Sequence, residues 1–131
     1  MNKIIIASGP VIVDAGKVLL DQHGDDSFWK FCGGMSKGLS EDLLSVARRK
    51  AEEEIGVEFE LLSDEPFLFY SLQEIAGERV EVILVHWLAK TKGEIKKGQN
   101  VRELAWHDLK NLPDDLAPNI IPALSHFHLL G

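Results

Sequence analysis

The chain has little cysteine, few basic residues and no long apolar run in its 131 residues. Its one cysteine, Cys32, cannot form an intrachain disulfide, which favours a reducing cytoplasm. The early apolar run, residues 4–7, is far too short for a signal peptide or a membrane-spanning helix. With 14 basic against 21 acidic residues, the net charge is −7, which argues against a nucleic-acid polymer as the main partner.

A hydrophobic content of 45% is enough for one good core, so we expect a single domain over residues 1–131. Hydrophobic periodicity and turn residues predict strands over 3–13, 17–22, 57–62, 66–74 and 79–89, a short strand near 103–106, and helices over 41–55 and near 119–129. Gly9-Pro10 predicts a bulge or an edge in the first strand, and Ser40 is a candidate N-cap. Strands with two packed helices predict an α/β layered sandwich.

The segment from Gly33 to Val57 carries the strongest functional signal. It reads as a glycine pair, a loop, an amphipathic helix that ends in three consecutive glutamates, and a glycine stop. Acidic groups are unfavourable at the negative end of a helix, so this run indicates a compensating cation. Carboxylate oxygens are the ligands that Mg²⁺ and Mn²⁺ prefer.

A simpler interpretation of the glutamates is a solvated helix face. Arg49 lies four residues before Glu53, and Lys50 lies four before Glu54, so each pair could form an ion pair on the helix surface. For an isolated run of glutamates this interpretation would be favoured, but the neighbouring glycines support a site.

This segment resembles the Nudix hydrolase box, G-x5-E-x7-R-E-U-x-E-E-x-G-U, in which U is a bulky aliphatic residue. The positions that match in register are Arg49, Glu53, Glu54, Gly56 and Val57. The flanking pattern also resembles the family over essentially the whole chain. The resemblance implies a Nudix-type α/β/α sandwich with a mixed sheet, one Nudix helix and a C-terminal helix.

Four positions depart from the box. The spacing from Gly34 to Glu41 is one residue too long, Cys32 replaces a proline, Ala51 is small for its position, and Lys50 replaces a glutamate. The last change matters most, because that position in the family holds a carboxylate that binds metal or activates water. A lysine ammonium about 5 Å from Mg²⁺ would repel it by several kcal/mol at an effective dielectric of about 20.

The resemblance implies hydrolysis of a nucleoside diphosphate linked to another moiety, with Mg²⁺ or Mn²⁺ as cofactor and a small-molecule nucleotide as partner. It implies that Glu53 and Glu54 bind the metal with the backbone carbonyl of Gly33, and that Arg49 orients Glu53. Gly34 would let the loop pass close to the substrate. No additional motif distinguishes ADP-ribose, dinucleoside polyphosphates or NADH as the substrate, and the oligomeric state stays open.

Lys50 leaves three interpretations open: a reduced site with one metal, a lysine that contacts substrate phosphate, or a catalytically impaired nucleotide-binding or regulatory module on a Nudix scaffold. Hydrolysis is the preferred interpretation, because the rest of the box persists. The carboxylates that could replace the lost glutamate are Glu41, Glu52, Glu94 and Glu103.

Asn119 is a candidate for contact with the nucleotide base. In some Nudix enzymes an asparagine near the start of the C-terminal helix reads the purine edge, and an amide suits this task because it presents a donor beside an acceptor. The alternative is an ordinary helix N-cap. His86 is expected to be a core or cleft histidine, and Cys32 a packing residue. The aromatic candidates for base stacking are Phe28, Trp29, Tyr70 and Trp106, most of which we expect in the core.

Overall fold

Seven strands and two helices make up the part of the chain that the computed structural model describes, residues 3–36 and 41–130. In chain order they are β1 (Lys3–Asp14), β2 (Lys17–His23), β3 (Gly34–Met35), α1 (Leu43–Ile55), β4 (Glu58–Leu61), β5 (Phe67–Ile75), β6 (Glu78–Lys92), β7 (Val101–Asp108) and α2 (Ile120–His126). Neither helix is long and apolar enough to cross a membrane.

The sheet is mixed, as the resemblance to the Nudix family implied. Its main strand order is β4-β6-β1-β2-β7, with β5 paired to β6 and β3 paired to β1. The β1–β6 pairing is parallel and runs without a shift from Lys3 opposite Val80 to Ile12 opposite Ala89, whereas the other strand pairs are antiparallel. The long apolar strand β6 is therefore central, because it pairs with β1, β4 and β5.

Two cores cover opposite faces of the sheet. Neighbouring residues of a strand point to opposite faces, so Ile12 packs with Ala51 and Ile55 of α1, whereas Val11 packs with Ile120 and other residues of α2. The amphipathic character predicted for this helix is confirmed, since Ala47, Ala51 and Ile55, at spacings of four, are fully buried. Helices on both sides of a mixed sheet give the expected α/β/α sandwich.

Several predicted boundaries were wrong. Helix α1 begins at Leu43 rather than at residue 41, because the Asp42 carboxylate accepts a hydrogen bond from the Leu44 N–H and caps the helix. The predicted cap Ser40 lies outside the described residues. Helix α2 ends at His126 rather than near 129, because His128 takes a positive φ of 59° and the chain turns back.

The bulge predicted at Gly9-Pro10 is absent from the β1–β6 pairing. On its other side, β1 pairs with β3 only at Ala7 and Ser8 and with β2 only at Val13 and Asp14. Pro10 thus lies in the gap between two strand partners, where its missing N–H removes no pairing.

Candidate functional site

The glycine pair meets the C-terminal end of α1. The Gly33 N–H donates to Oε1 of Glu54 over 3.1 Å, and Glu54 is only 9% exposed. Gly33 has a φ of 148°, and a Cβ there would collide with the backbone of Ser8 and Gly9. The absence of a side chain at Gly33 therefore lets the loop lie against β1 while its N–H faces the glutamate.

The loop after β6 closes the end of α1. The N–H groups of Lys96 and Gly98 donate to the carbonyls of Ile55 and Glu54, each over 2.8 Å, and Gly56 ends the helix in the left-handed conformation. These bonds satisfy carbonyl groups that a helix end leaves without partners. They fix the last turn of α1, and with it the position of the Glu54 backbone.

Strand β2 adds two residues that sequence reasoning missed, Asp21 and His23. Asp21 is fully buried, and it follows Leu19 on the strand face that packs toward α1. His23 Nε2 lies 3.2 Å from Oε1 of Glu54 and 3.5 Å from Oδ2 of Asp21. The ligand atoms of these three residues all lie within 4.8 Å of one another. We call them the β2–α1 cluster.

The position of His23 is fixed by the loop that follows it. The backbone N–H of His23 donates to Oδ2 of Asp26 over 3.0 Å. The same carboxylate oxygen lies 2.9 Å from the Lys30 ammonium. Arg102 of β7 donates to the carbonyl of Gly24, to the carbonyl of Asp26 and to the side chain of Gln22. These hydrogen bonds fix the loop that follows β2, and with it the backbone of His23.

Burial sets the electrostatics of the cluster. It raises the pKa of Asp21 to about 7, with the nearby Glu54 charge as the second cause. Burial also raises the pKa of Glu54, against the opposing effects of the Gly33 N–H and of His23. The Cys32 thiol packs in the α1-side core, and burial raises its pKa, so the thiolate is disfavoured and the packing role holds.

The other charged residues of α1 pair along the helix surface. Glu53 is half exposed and lies 3.2 Å from Lys50 and 3.8 Å from Arg49, which also donates to Glu41 over 2.8 Å. The ion pair expected between Lys50 and Glu54 is replaced by the Lys50–Glu53 pair, because Glu54 turns inward to the Gly33 N–H. Glu53 and Glu54 thus have different surroundings.

Gly34 accommodates the lysine. A Cβ at Gly34 would lie 2.5 Å from Cε of Lys50, so the lysine stem passes directly over this glycine. Lys50 lines a cavity of about 470 Å³ together with His23, Glu53 and Glu54. The replacement carboxylates considered above, Glu41, Glu52, Glu94 and Glu103, do not belong to the β2–α1 cluster.

A second cavity of about 310 Å³ lies on the other side of the glycine pair and holds Asn119 and His86. Asn119 occupies the N-cap position of α2, as the alternative interpretation expected, but its side chain makes no capping hydrogen bond. Instead, its Nδ2 lies 2.9 Å from Nε2 of His86. Burial lowers the pKa of His86 to about 4, so the ring is neutral at pH 7 and can accept this hydrogen bond.

Of the four aromatic candidates for stacking, only Phe28 lines this cavity, and it is 39% exposed. Trp29 and Trp106 pack against the two cores. Tyr70 is exposed on β5 and bonds to Glu81. The expectation that most of the four are core residues therefore holds for the two tryptophans alone.

The Asp21→Asn variant tests the burial of this carboxylate in metal-free protein. A pKa of about 7 in the folded state, against an ordinary 3.8, means that folded protein holds the proton more tightly. The contribution of Asp21 to the free energy of unfolding therefore falls as pH rises from about 4 to about 7. At pH 8 we expect the free energy of unfolding in urea to be higher for Asp21→Asn than for the wild type by at least about 1 kcal/mol. At pH 5 the difference between the two proteins should be smaller.

The exposed Asp114→Asn change serves as a control for loss of one negative charge. It should leave the pH dependence of stability as in the wild type. Identical pH profiles for Asp21→Asn and the wild type would contradict the burial argument.

Comparison with known proteins agrees with this architecture. A model of the NUDIX domain matches residues 4–127. A MutT NUDIX hydrolase from Burkholderia pseudomallei superposes with a TM-score of 0.75 at 24% identity, covering 95% of this chain and 98% of that one. The ORF135 protein of E. coli superposes with a TM-score of 0.73 at 25% identity, and the match covers 98% of this chain and 91% of that one. No curated protein sequence matches. The extent of the domain match shows that the chain belongs to the NUDIX family.

Proposed function

We propose that the protein hydrolyses a phosphoanhydride bond in a nucleoside di- or triphosphate-type substrate with the help of a divalent cation, Mg²⁺ or Mn²⁺. The observation that supports this is the glycine pair between two compartments. Gly33 faces the buried carboxylate of Glu54 on one side, and with Gly34 it lines the cavity of Asn119 on the other. A nucleotide needs such a pair of sites, one for phosphate and one for base.

The donor set suits a divalent cation. Glu54 offers a carboxylate in a buried setting, and Asp21 offers two carboxylate oxygens that have no hydrogen-bond partner among the described residues. In keeping with the family, we assign metal binding to Glu53, Glu54 and the Gly33 carbonyl. A bound cation would neutralise charge on the diphosphate oxygens during attack by water.

The residues around the cation have separate tasks in this proposal. Arg49 positions Glu53 and is itself held by Glu41, with which it forms the shorter of its two ion pairs. Lys50 occupies the place of a family glutamate, and its ammonium near Glu53 opposes a second cation there. Gly34, which has no side chain, lets its loop pass close to the site. The resulting site would hold a single cation, which Glu54 contacts.

Asn119 would read the base. Its Nδ2 donates one hydrogen to neutral His86, which leaves the second N–H and the Oδ1 acceptor side by side for a base edge. Phe28 lines the same cavity and offers an aromatic face for stacking. His86 acts here as a positioning residue, since it fixes which way the amide points.

A nucleotide-binding or regulatory module is the second candidate. The Lys50–Glu53 ion pair favours it, because it neutralises a carboxylate on which the family's chemistry depends. For either function, the net charge of −7 and the buried cysteine support a small-molecule partner in the cytoplasm, with residues 1–131 acting as one domain.

A nucleotide screen tests the hydrolase directly. Purified protein is incubated with nucleoside triphosphates and nucleotide diphosphate conjugates, with Mg²⁺ and then with Mn²⁺, and release of phosphate or pyrophosphate is measured by colour. We expect metal-dependent turnover that falls at least about a hundredfold in Glu54→Gln, because metal contributes orders of magnitude to such reactions. Tight nucleotide binding with no turnover under either metal would favour the binding module.

Lys50→Glu tests whether the lysine suppresses the site. The change removes a repelling cation and restores a carboxylate, so we expect turnover to rise about tenfold or more. Lys50→Met separates the two effects, since it removes the charge without adding a ligand. If Lys50→Glu abolishes turnover, the lysine contacts substrate phosphate and the suppression account is wrong.

Asn119→Ala tests base recognition. Removing the amide should bring the ratio of the dissociation constants for GTP and CTP close to one, because a lost bidentate contact costs about 1–3 kcal/mol of discrimination. The exposed Asn111→Ala serves as the matched control and should keep the wild-type ratio. An unchanged ratio in Asn119→Ala removes this residue from the base site.

A further inference from the structure

The β2–α1 cluster has the composition of a metal site that differs from the Nudix box. Only Glu54 belongs to the box, whereas Asp21 and His23 come from β2. The three side chains bring two carboxylates and one imidazole within 4.8 Å of one another. His23 Nε2 is the centre of the group, since it lies within 3.5 Å of both carboxylates.

Asp21 supplies an independent reason to expect a ligand. Its side chain is fully buried, and neither carboxylate oxygen has a hydrogen-bond partner among the described residues. Buried polar groups in folded proteins are otherwise nearly always satisfied, and a buried carboxylate is unfavourable without a partner. Oδ2 lies 3.5 Å from His23 Nε2, so the carboxylate faces the cluster, where a cation between the strand and the helix could contact it.

We propose that Asp21, His23 and Glu54 bind one divalent transition-metal ion, and that Zn²⁺ and Co²⁺ bind more tightly than Mg²⁺. Imidazole is a good ligand for Zn²⁺ and related ions, whereas Mg²⁺ prefers oxygen ligands alone and keeps most of its water. Three protein ligands leave a position open for water or a phosphate oxygen, as in catalytic zinc sites. The open side faces the cavity of about 470 Å³, which His23 and Glu54 line.

This inference goes beyond the proposed function: the transition-metal site shares only Glu54 with the proposed Mg²⁺ or Mn²⁺ site, and metal binding there does not require nucleotide hydrolysis. It also accounts for the position of the ion. Lys50 and Arg49 surround Glu53 with positive charge, whereas the carboxylates of Asp21 and Glu54 face each other across a single imidazole. A cation therefore gains more from the β2 side of Glu54 than from the Glu53 side.

Isothermal titration calorimetry with ZnCl₂, CoCl₂ and MgCl₂ on chelator-stripped protein tests the site. We expect one strong equivalent of Zn²⁺ or Co²⁺ and much weaker Mg²⁺ binding. Asp21→Asn and His23→Gln should each weaken Zn²⁺ binding at least about tenfold, because changes even to residues behind metal ligands cost about 10–100-fold. His128→Gln, an exposed histidine outside the cluster, is the matched control and should bind as the wild type does. Circular dichroism confirms that each variant is folded.

Glu53→Gln separates this site from the box carboxylates. We expect it to weaken Zn²⁺ binding less than Asp21→Asn and His23→Gln do, because Glu53 does not belong to the β2–α1 cluster. If Glu53→Gln weakens binding while Asp21→Asn and His23→Gln leave it unchanged, the ion lies on the helix surface and the inference is overturned. The absorption spectrum of bound Co²⁺ gives a second readout, because loss of an imidazole ligand should shift its visible bands; an unshifted spectrum in His23→Gln also overturns it.

Hydrolysis assays on the same proteins distinguish the two proposals. Cluster-dependent Zn²⁺ binding in a protein that hydrolyses no nucleotide supports the metal site and contradicts the hydrolase. Conversely, Mg²⁺-dependent hydrolysis that persists in Asp21→Asn and His23→Gln, with no strong Zn²⁺ binding in the wild type, supports the hydrolase and overturns the metal site.

Discussion

Two carboxylates buried beside one imidazole impose the main constraint on this fold. Asp21 and Glu54 come from different elements, β2 and α1. Burial raises the pKa of both carboxyl groups, and the Glu54 charge raises the pKa of Asp21 further. The structure compensates Glu54 with the Gly33 N–H and with His23, but it gives Asp21 no hydrogen-bond partner among the described residues. The surrounding elements thus hold two carboxyl groups whose pKa values are raised, as is common at functional sites.

The packing around the cluster shows how this arrangement is maintained. Ser8 of β1 donates to the Leu43 carbonyl over 2.6 Å and accepts from the indole N–H of Trp87, so it joins the start of α1 to the sheet. The loop after β6 secures the other end of the helix through the Ile55 and Glu54 carbonyls. With both ends fixed, α1 cannot move away from β2 to separate the two acids without breaking buried hydrogen bonds.

Sequence patterns predicted those features that depend on neighbours along the chain. Helical spacing identified the buried stripe of α1, and the box identified Glu54. Asp21 was overlooked because an acid within the apolar run of β2 says nothing about which helix packs over it. The sequence did offer a signal, since Asp21 shares a strand face with buried Leu19. Asn119 was ambiguous for a similar reason, because its partner His86 is 33 residues away in the chain.

The charge on α1 is divided unequally between its last two glutamates. Glu53 is exposed, and two cations pair with it, so solvent and side chains already balance its charge. Glu54 is buried, and its negative charge adds to that of Asp21 rather than cancelling it. Lys50 pairs with Glu53 and also opposes the rise that burial causes in the pKa of Glu54, whereas the Asp21 carboxylate on the β2 side has no hydrogen-bond partner among the described residues. We therefore place the proposed transition-metal ion between strand and helix, where an imidazole is also available.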